Sequence, residues 1–217
     1  MERFYTFVFV AGIGCFAIAF VVSMVFPWMS LKDYHGMDYA RIEQLAATPS
    51  LEFVQLEESY PEAFNEVYEG GATPENYARA LRKGRDLYIG QACWHCHSQY
   101  VRVVSNEEQR WGPPSEAYEY NNELNQPHLW GTRRVGPDLA RLHGRHTNDW
   151  HIAHFLNPKD VAPYSVMPAY AYYFEDDGTP HEEGFALVTY LQWIGSTYDA
   201  DYQANQAAAA VEAEGTE

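Results

Sequence analysis

Cys93-Trp94-His95-Cys96-His97 is the stretch on which the reading of this chain turns. Two thiols three positions apart on a helical turn face the same way, and the residue after them points its imidazole at whatever the thiols hold. This C-x-x-C-H spacing is that of c-type haem attachment: two thioethers form to the haem vinyl groups, and the histidine comes under the iron. A thioredoxin-type redox pair has no need of His97, and a structural zinc site wants a second pair of soft ligands, which the sequence lacks. The third cysteine, Cys15, lies in an apolar run and reads as a small buried side chain.

An electron-carrying haem iron takes a second axial ligand, and a methionine sulfur raises its potential relative to a second histidine. Met167 is the candidate, because Met1, Met24, Met29 and Met37 all precede the haem motif. It sits in a proline-marked loop, 162–169, between two expected helices. The competitors are the downstream histidines, His128, His143, His146, His151 and His154, any of which would make a bis-histidine iron. An iron-bound imidazole also needs an acceptor for its other ring nitrogen. The Pro137 carbonyl in Gly136-Pro137-Asp138-Leu139 can supply it, or the four residues are simply a turn. The propionates call for a cation or an indole N–H, for which Trp130, Arg133 and Arg134 are the candidates. Read otherwise, these are a core tryptophan and a surface arginine pair.

The apolar run that holds Cys15 extends from Tyr5 to Phe26 without a charged residue, about the 20 residues needed to cross a hydrocarbon core. It ends in Pro27, Trp28 and Met29, an interfacial finish rather than a cleavage site, so residues 1–30 read as an uncleaved transmembrane anchor. Arg3 on one side, and Lys32 and Arg41 on the other, orient it only weakly. Residues 31–73 are acidic and read as a stalk or a partner-contact segment, with one short helix around Asp38 to Ala47. Residues 74–198 read as the haem domain, and 199–217 as an acidic, alanine-rich tail that is disordered or a frayed helix. Three helices are signalled within the domain. Thr73 and Pro74 start one that runs to about Ile89, and a second spans Asp149 to Leu156, stopped by Asn157-Pro158. Thr179, Pro180 and Glu182 look like a capping box for the third, whose stripe is Leu187, Val188, Leu191 and Ile194, with Gly195 at its end. Residues 98–146 have no sustained period and read as ordered loop.

The formal charge of −16, from 14 basic and 30 acidic residues among 217, argues against nucleic acid as a partner. With length for one principal domain, the expectation is a mainly α protein carrying one haem.

With these residues assembled, the chain closely resembles the monohaem cytochrome c subunit (subunit II) of cbb3-type cytochrome c oxidases, the C-family of haem-copper oxygen reductases. The stretches that carry the resemblance are GRDLYIGQACWHCHSQYVR (84–102), WGTRRVGPDLARLHGR (130–145) and DWHIAHFLNPKDVAPYSVMPAY (149–170). The resemblance implies a class I cytochrome c fold with one covalently attached haem c, held by Cys93 and Cys96 and ligated by His97 and Met167. It also implies a place in a bacterial inner membrane with the haem domain on the periplasmic side. There the chain would pass electrons from a donor cytochrome c toward the catalytic haem-copper subunit, alongside other cytochrome c subunits. The acidic segment 31–73 and the acidic tail have no place on that pattern, and the aromatic run 170–174 is unusual for it. Two other readings keep the haem: the small cytochrome c subunit of a nitric oxide reductase, and a sensor or peroxidase-like protein with an open iron site.

Overall fold

The computed structural model describes residues 1–31 and 39–198. The chain divides into two compact units, 1–37 and 38–217. The first is a single helix, α1 (Glu2–Leu31), long and apolar enough to cross a membrane, none of whose apolar window is buried. Cys15 lies exposed on its surface, which corrects the expectation of a buried side chain. Its apolar residues face outward. Pro27 does not end the helix. The turn over Val21–Val25 widens to π geometry just before it, which eases the clash between a proline ring and the carbonyl four residues earlier.

The second unit is helical, with no strand among the described residues beyond one isolated bridge, Phe174 to Pro180. Its helices are α2 (Tyr39–Leu45), α3 (Leu51–Ser59), α4 (Pro61–Val67), α5 (Pro74–Gly90), α6 (Cys93–Cys96), α7 (Glu107–Trp111), α8 (Ala117–Tyr120), α9 (Asn148–Leu156), α10 (Pro158–Val161) and α11 (Glu182–Trp193). Helix α5 starts as its sequence dictates: the Thr73 hydroxyl accepts from Asn76 N at 3.3 Å, and Pro74 takes the first helical position. It crosses α11 at Gly84, where a Cβ would lie 2.0 Å from the Ala186 carbonyl oxygen and 2.6 Å from Tyr190 Cβ. Only glycine permits that approach. Helix α9 is capped in the same way as α5, with the Thr147 hydroxyl accepting from Trp150 N.

Helix α11 is buried on every side from Gly184 to Trp193, beyond the single stripe the sequence signals. The second covering is the segment 39–73. Phe53 and Phe64 pack edge to face at 5.1 Å, and Phe64 meets Phe185 of α11 at 5.3 Å. The segment thus packs on the domain's own helices instead of projecting as a stalk. The start of α11 also differs from expectation. His181 is the capping residue, with no side-chain cap, and Glu182 bonds Arg79 at 2.7 Å and Lys83 at 2.6 Å on α5. Tertiary ion pairs thus take the carboxylate that a capping box would have used, while Thr179 and Pro180 form a tight turn with Glu175 and Phe174.

The region 98–146 holds only short helical turns, and buried arginines pin it. Arg85 of α5 donates to the carbonyls of Leu124 and Gln126. Arg141 makes a bidentate pair with Glu119 at 2.8 and 2.9 Å and also reaches Pro113 O at 2.8 Å. The expectation for the tail 199–217 lies outside the described residues.

Candidate haem-binding site

Helix α5 delivers the chain to the cysteines. Ala92 adopts a left-handed φ of 57°, and the single turn α6 carries Cys93 and Cys96 before His97 leaves in an extended conformation. The His97 ring lies 2.9 Å through Nδ1 from the Pro137 carbonyl oxygen. A carbonyl only accepts, so Nδ1 carries the proton and Nε2 keeps its lone pair for a metal. Burial lowers the His97 pKa, against the opposing pull of the Pro137 contact and of Asp138, and keeps the ring neutral.

The loop 131–139 is laid along residues 95–98. Gly136 N donates to Cys96 O at 3.0 Å, and Leu139 N to Ser98 O at 2.7 Å. Gly136 rests flat on the imidazole: a Cβ there would lie 2.4 Å from His97 Cε1. Asp138 fastens the same loop, its carboxylate accepting from Ser98 Oγ at 2.5 Å, Tyr100 N at 3.1 Å and Ala140 N at 2.9 Å.

Cys93, His97, Pro137 and Met167 line one cleft. Tyr88 of α5, Leu187 and Leu191 of α11, and Leu139 and Leu142 supply much of its apolar wall, with Phe155, Trp150, His146, His151 and His154 from α9 and the turn before it. Cys96 is exposed and is not part of this lining, so the two thiols do not share the cleft as their spacing led one to expect. Met167 is half-buried, in a loop fixed by Met167 N to Ser165 Oγ at 3.2 Å and Tyr170 N to Phe155 O at 2.7 Å. Burial pushes the Cys93 thiol up to about 11, with the Tyr170 hydroxyl hydrogen-bonded to it in the opposite sense.

Trp130, Arg133 and Arg134 are not part of this lining. Trp130 is half-exposed and stacks on His128 at 5.1 Å. Arg133 is exposed. Arg134 is spent within the protein, on Glu107, Ser98, the Tyr100 carbonyl and, at 3.5 Å, Asp138. Of the competing histidines, His128 bonds Asn125 O and His143 bonds Gln192 O, both away from the cleft, whereas His146, His151 and His154 line it. Tyr88 and Gly136 carry no ligand signature of their own; their positions five residues before Cys93 and one before Pro137 were the only hint.

The cleft sets the Cys93 thiol, the His97 imidazole and the Met167 thioether on a largely apolar lining, a donor set that suits a flat apolar macrocycle. A family model described as cytochrome C oxidase, mono-heme subunit/FixO matches residues 58–217. The chain belongs to the FixO family. That match spans the whole cleft and bears out the resemblance to the monohaem subunit of cbb3-type oxidases. A FixO chain is a haem-carrying subunit of a cytochrome oxidase complex, and the apolar α1 fits a membrane anchor for it. Comparison with curated proteins finds no match.

Proposed function

We propose that this FixO-family chain is a membrane-anchored electron carrier, in which Cys93 and Cys96 would hold one haem c covalently and His97 Nε2 and the Met167 sulfur would bind its iron. When bound, the haem supplies a one-electron couple at its iron. The chain's own residues do the rest. Pro137 holds the tautomer and plane of His97, Gly136 lets the loop close on the ring, and the apolar wall from α5, α9 and α11 excludes water. The carrier takes electrons from a donor cytochrome c and passes them to the catalytic haem-copper subunit, with the domain on the periplasmic face of a bacterial inner membrane.

The observation that carries this reading is the 2.9 Å contact from His97 Nδ1 to Pro137 O, which leaves Nε2 as the metal-binding nitrogen in the cleft that also holds Cys93 and Met167. Covalent attachment is tested by acid-acetone extraction of the denatured protein: the pigment is expected to stay on the chain, and free extraction overturns the reading. Oxygen uptake by the native complex, against nitric oxide uptake, tests its place in an oxidase. Protease protection of the domain in right-side-out vesicles would overturn the periplasmic placement.

A further inference from the structure

The cleft contains no lysine or arginine among its lining residues, yet a haem brings two carboxylates into it. Unmet polar atoms on lining residues are the Tyr88 hydroxyl on α5 and, from one short stretch, two histidine ring nitrogens. The His151 ring is 2 % exposed, and neither its Nε2 nor the Nδ1 of His154 has a hydrogen-bond partner among the described residues. A buried donor left unmet is costly, so such atoms in a binding cleft point to what fills it. His151 and His154 stand three residues apart on α9 and so share one helix face. Trp150 fixes their planes: it is stacked between His146 at 3.6 Å and His154 at 4.8 Å, and His151 sets an edge against it at 5.3 Å.

We propose that His151 Nε2–H and His154 Nδ1–H are the donors that hold the haem propionates, an inference that rests on the haem reading above. Once the vinyl groups are taken by Cys93 and Cys96, the carboxylates are the only strong acceptors on the macrocycle, and these are the orphaned ring donors facing it. A neutral imidazole carries one N–H, so each ring serves once its tautomer is set. Burial pushes both ring pKa values down, His151 to about 3 and His154 to about 4. Arg134 does not compete, being tied to Glu107 and Asp138.

The test uses full-length holoprotein in detergent. In H151F and H154F, the propionate bending modes in the resonance Raman spectrum are expected to shift and the reduction potential to fall, because the carboxylate loses a hydrogen-bond donor that stabilises its charge. H151Q and H154Q, which keep a donor, should recover part of both. Unchanged modes in the phenylalanine variants overturn the proposal, as does a high-spin iron in H154F, which would make His154 an iron ligand. A measurement on the unaltered protein stands if the variants do not load haem: nitrogen-15 spectra of the ferrous state should show His151 protonated at Nε2 and His154 at Nδ1. The opposite tautomers sink the proposal. If the wild-type pigment extracts freely, the haem reading itself has failed; if it is retained and the modes do not move, only this inference has.

Discussion

His97 is fixed from two sides at once, by an acceptor at its Nδ1 and by a glycine lying on its ring. Gly136→Ala would place a methyl 2.4 Å from Cε1, against the backbone of a loop tied down by Asp138. We expect G136A to lose most of its covalently bound haem, measured as the haem-to-protein ratio, while G90A, whose Cβ meets nothing, should load normally. A ratio in G136A equal to the wild type would show that the ring is not seated on the glycine. At the opposite side of the site, Met167→Ala should lower the potential and open the iron to added ligands, since a thioether ligand raises it. The ferric sulfur-to-iron charge-transfer band should vanish, and its persistence would exclude Met167 as ligand.

The crossing of α5 and α11 is the element-level counterpart of that fit. Gly84→Ala drives a methyl into the Ala186 carbonyl and Tyr190, and overpacking of this kind costs about 1–3 kcal/mol or more. The expected result is a clear fall in Tm, and a Tm within error of the wild type would mean that the helices move apart without cost. The same helix pair carries the cluster of Lys83 and Arg79 with Glu182 and Glu183. Partial burial acts against the Glu182 charge, but Lys83 and Arg79 prevail and lower its pKa; Lys83 lowers that of Glu183. A lowered carboxylate pKa gives stability present above the unfolded value of about 4.3 and lost as the pH falls through the folded one. Burial likewise opposes the Lys83 charge, but its two carboxylates raise its pKa overall, so its share is lost only as the pH rises through the folded value. E182Q/E183Q should therefore show a shallower fall of Tm on acidification below about pH 4.3, and an unchanged acid limb would assign the pair no net role.

Across the whole molecule the charge of −16, to which the propionates add, projects a field over about one Debye length, roughly 8–10 Å at physiological salt. Such a field mainly raises encounter rates with a cationic partner. The second-order rate of reduction by a basic donor cytochrome is expected to fall steeply as salt rises, and a flat or rising dependence would reduce the acidity to a matter of solubility. Because 38–217 forms a compact unit by itself, replacing residues 1–37 by a cleavable export signal should give a haem-loaded domain that leaves the membrane fraction. Aggregation of that product would show that α1 supports the fold.

Spacing by itself determined the haem motif, the apolar anchor and the starts of α5 and α9, because thiol geometry, hydrocarbon thickness and side-chain caps act over a few neighbouring residues. Met167 stood out for a simpler reason, as the sole methionine after the motif, and the fold places it on the lining of the same cleft as Cys93 and His97. What only the tertiary structure decided are interactions between residues far apart in the chain. Glu182 left its capping box because Arg79 and Lys83, about a hundred positions earlier, lie within 2.7 Å of it. The acidic residues 39–73 pack on α11 because Phe53 meets Phe64, and Phe64 and Tyr68 find Phe185, a partner that local composition does not reveal. Arg134 carries a charge that any reading of sequence would offer to a propionate, and Glu107, 27 residues earlier, claims it first. The histidines of α9 read as loose competitors for the iron until the fold set His151 and His154 on one wall of the cleft, where their unmet nitrogens acquire a meaning.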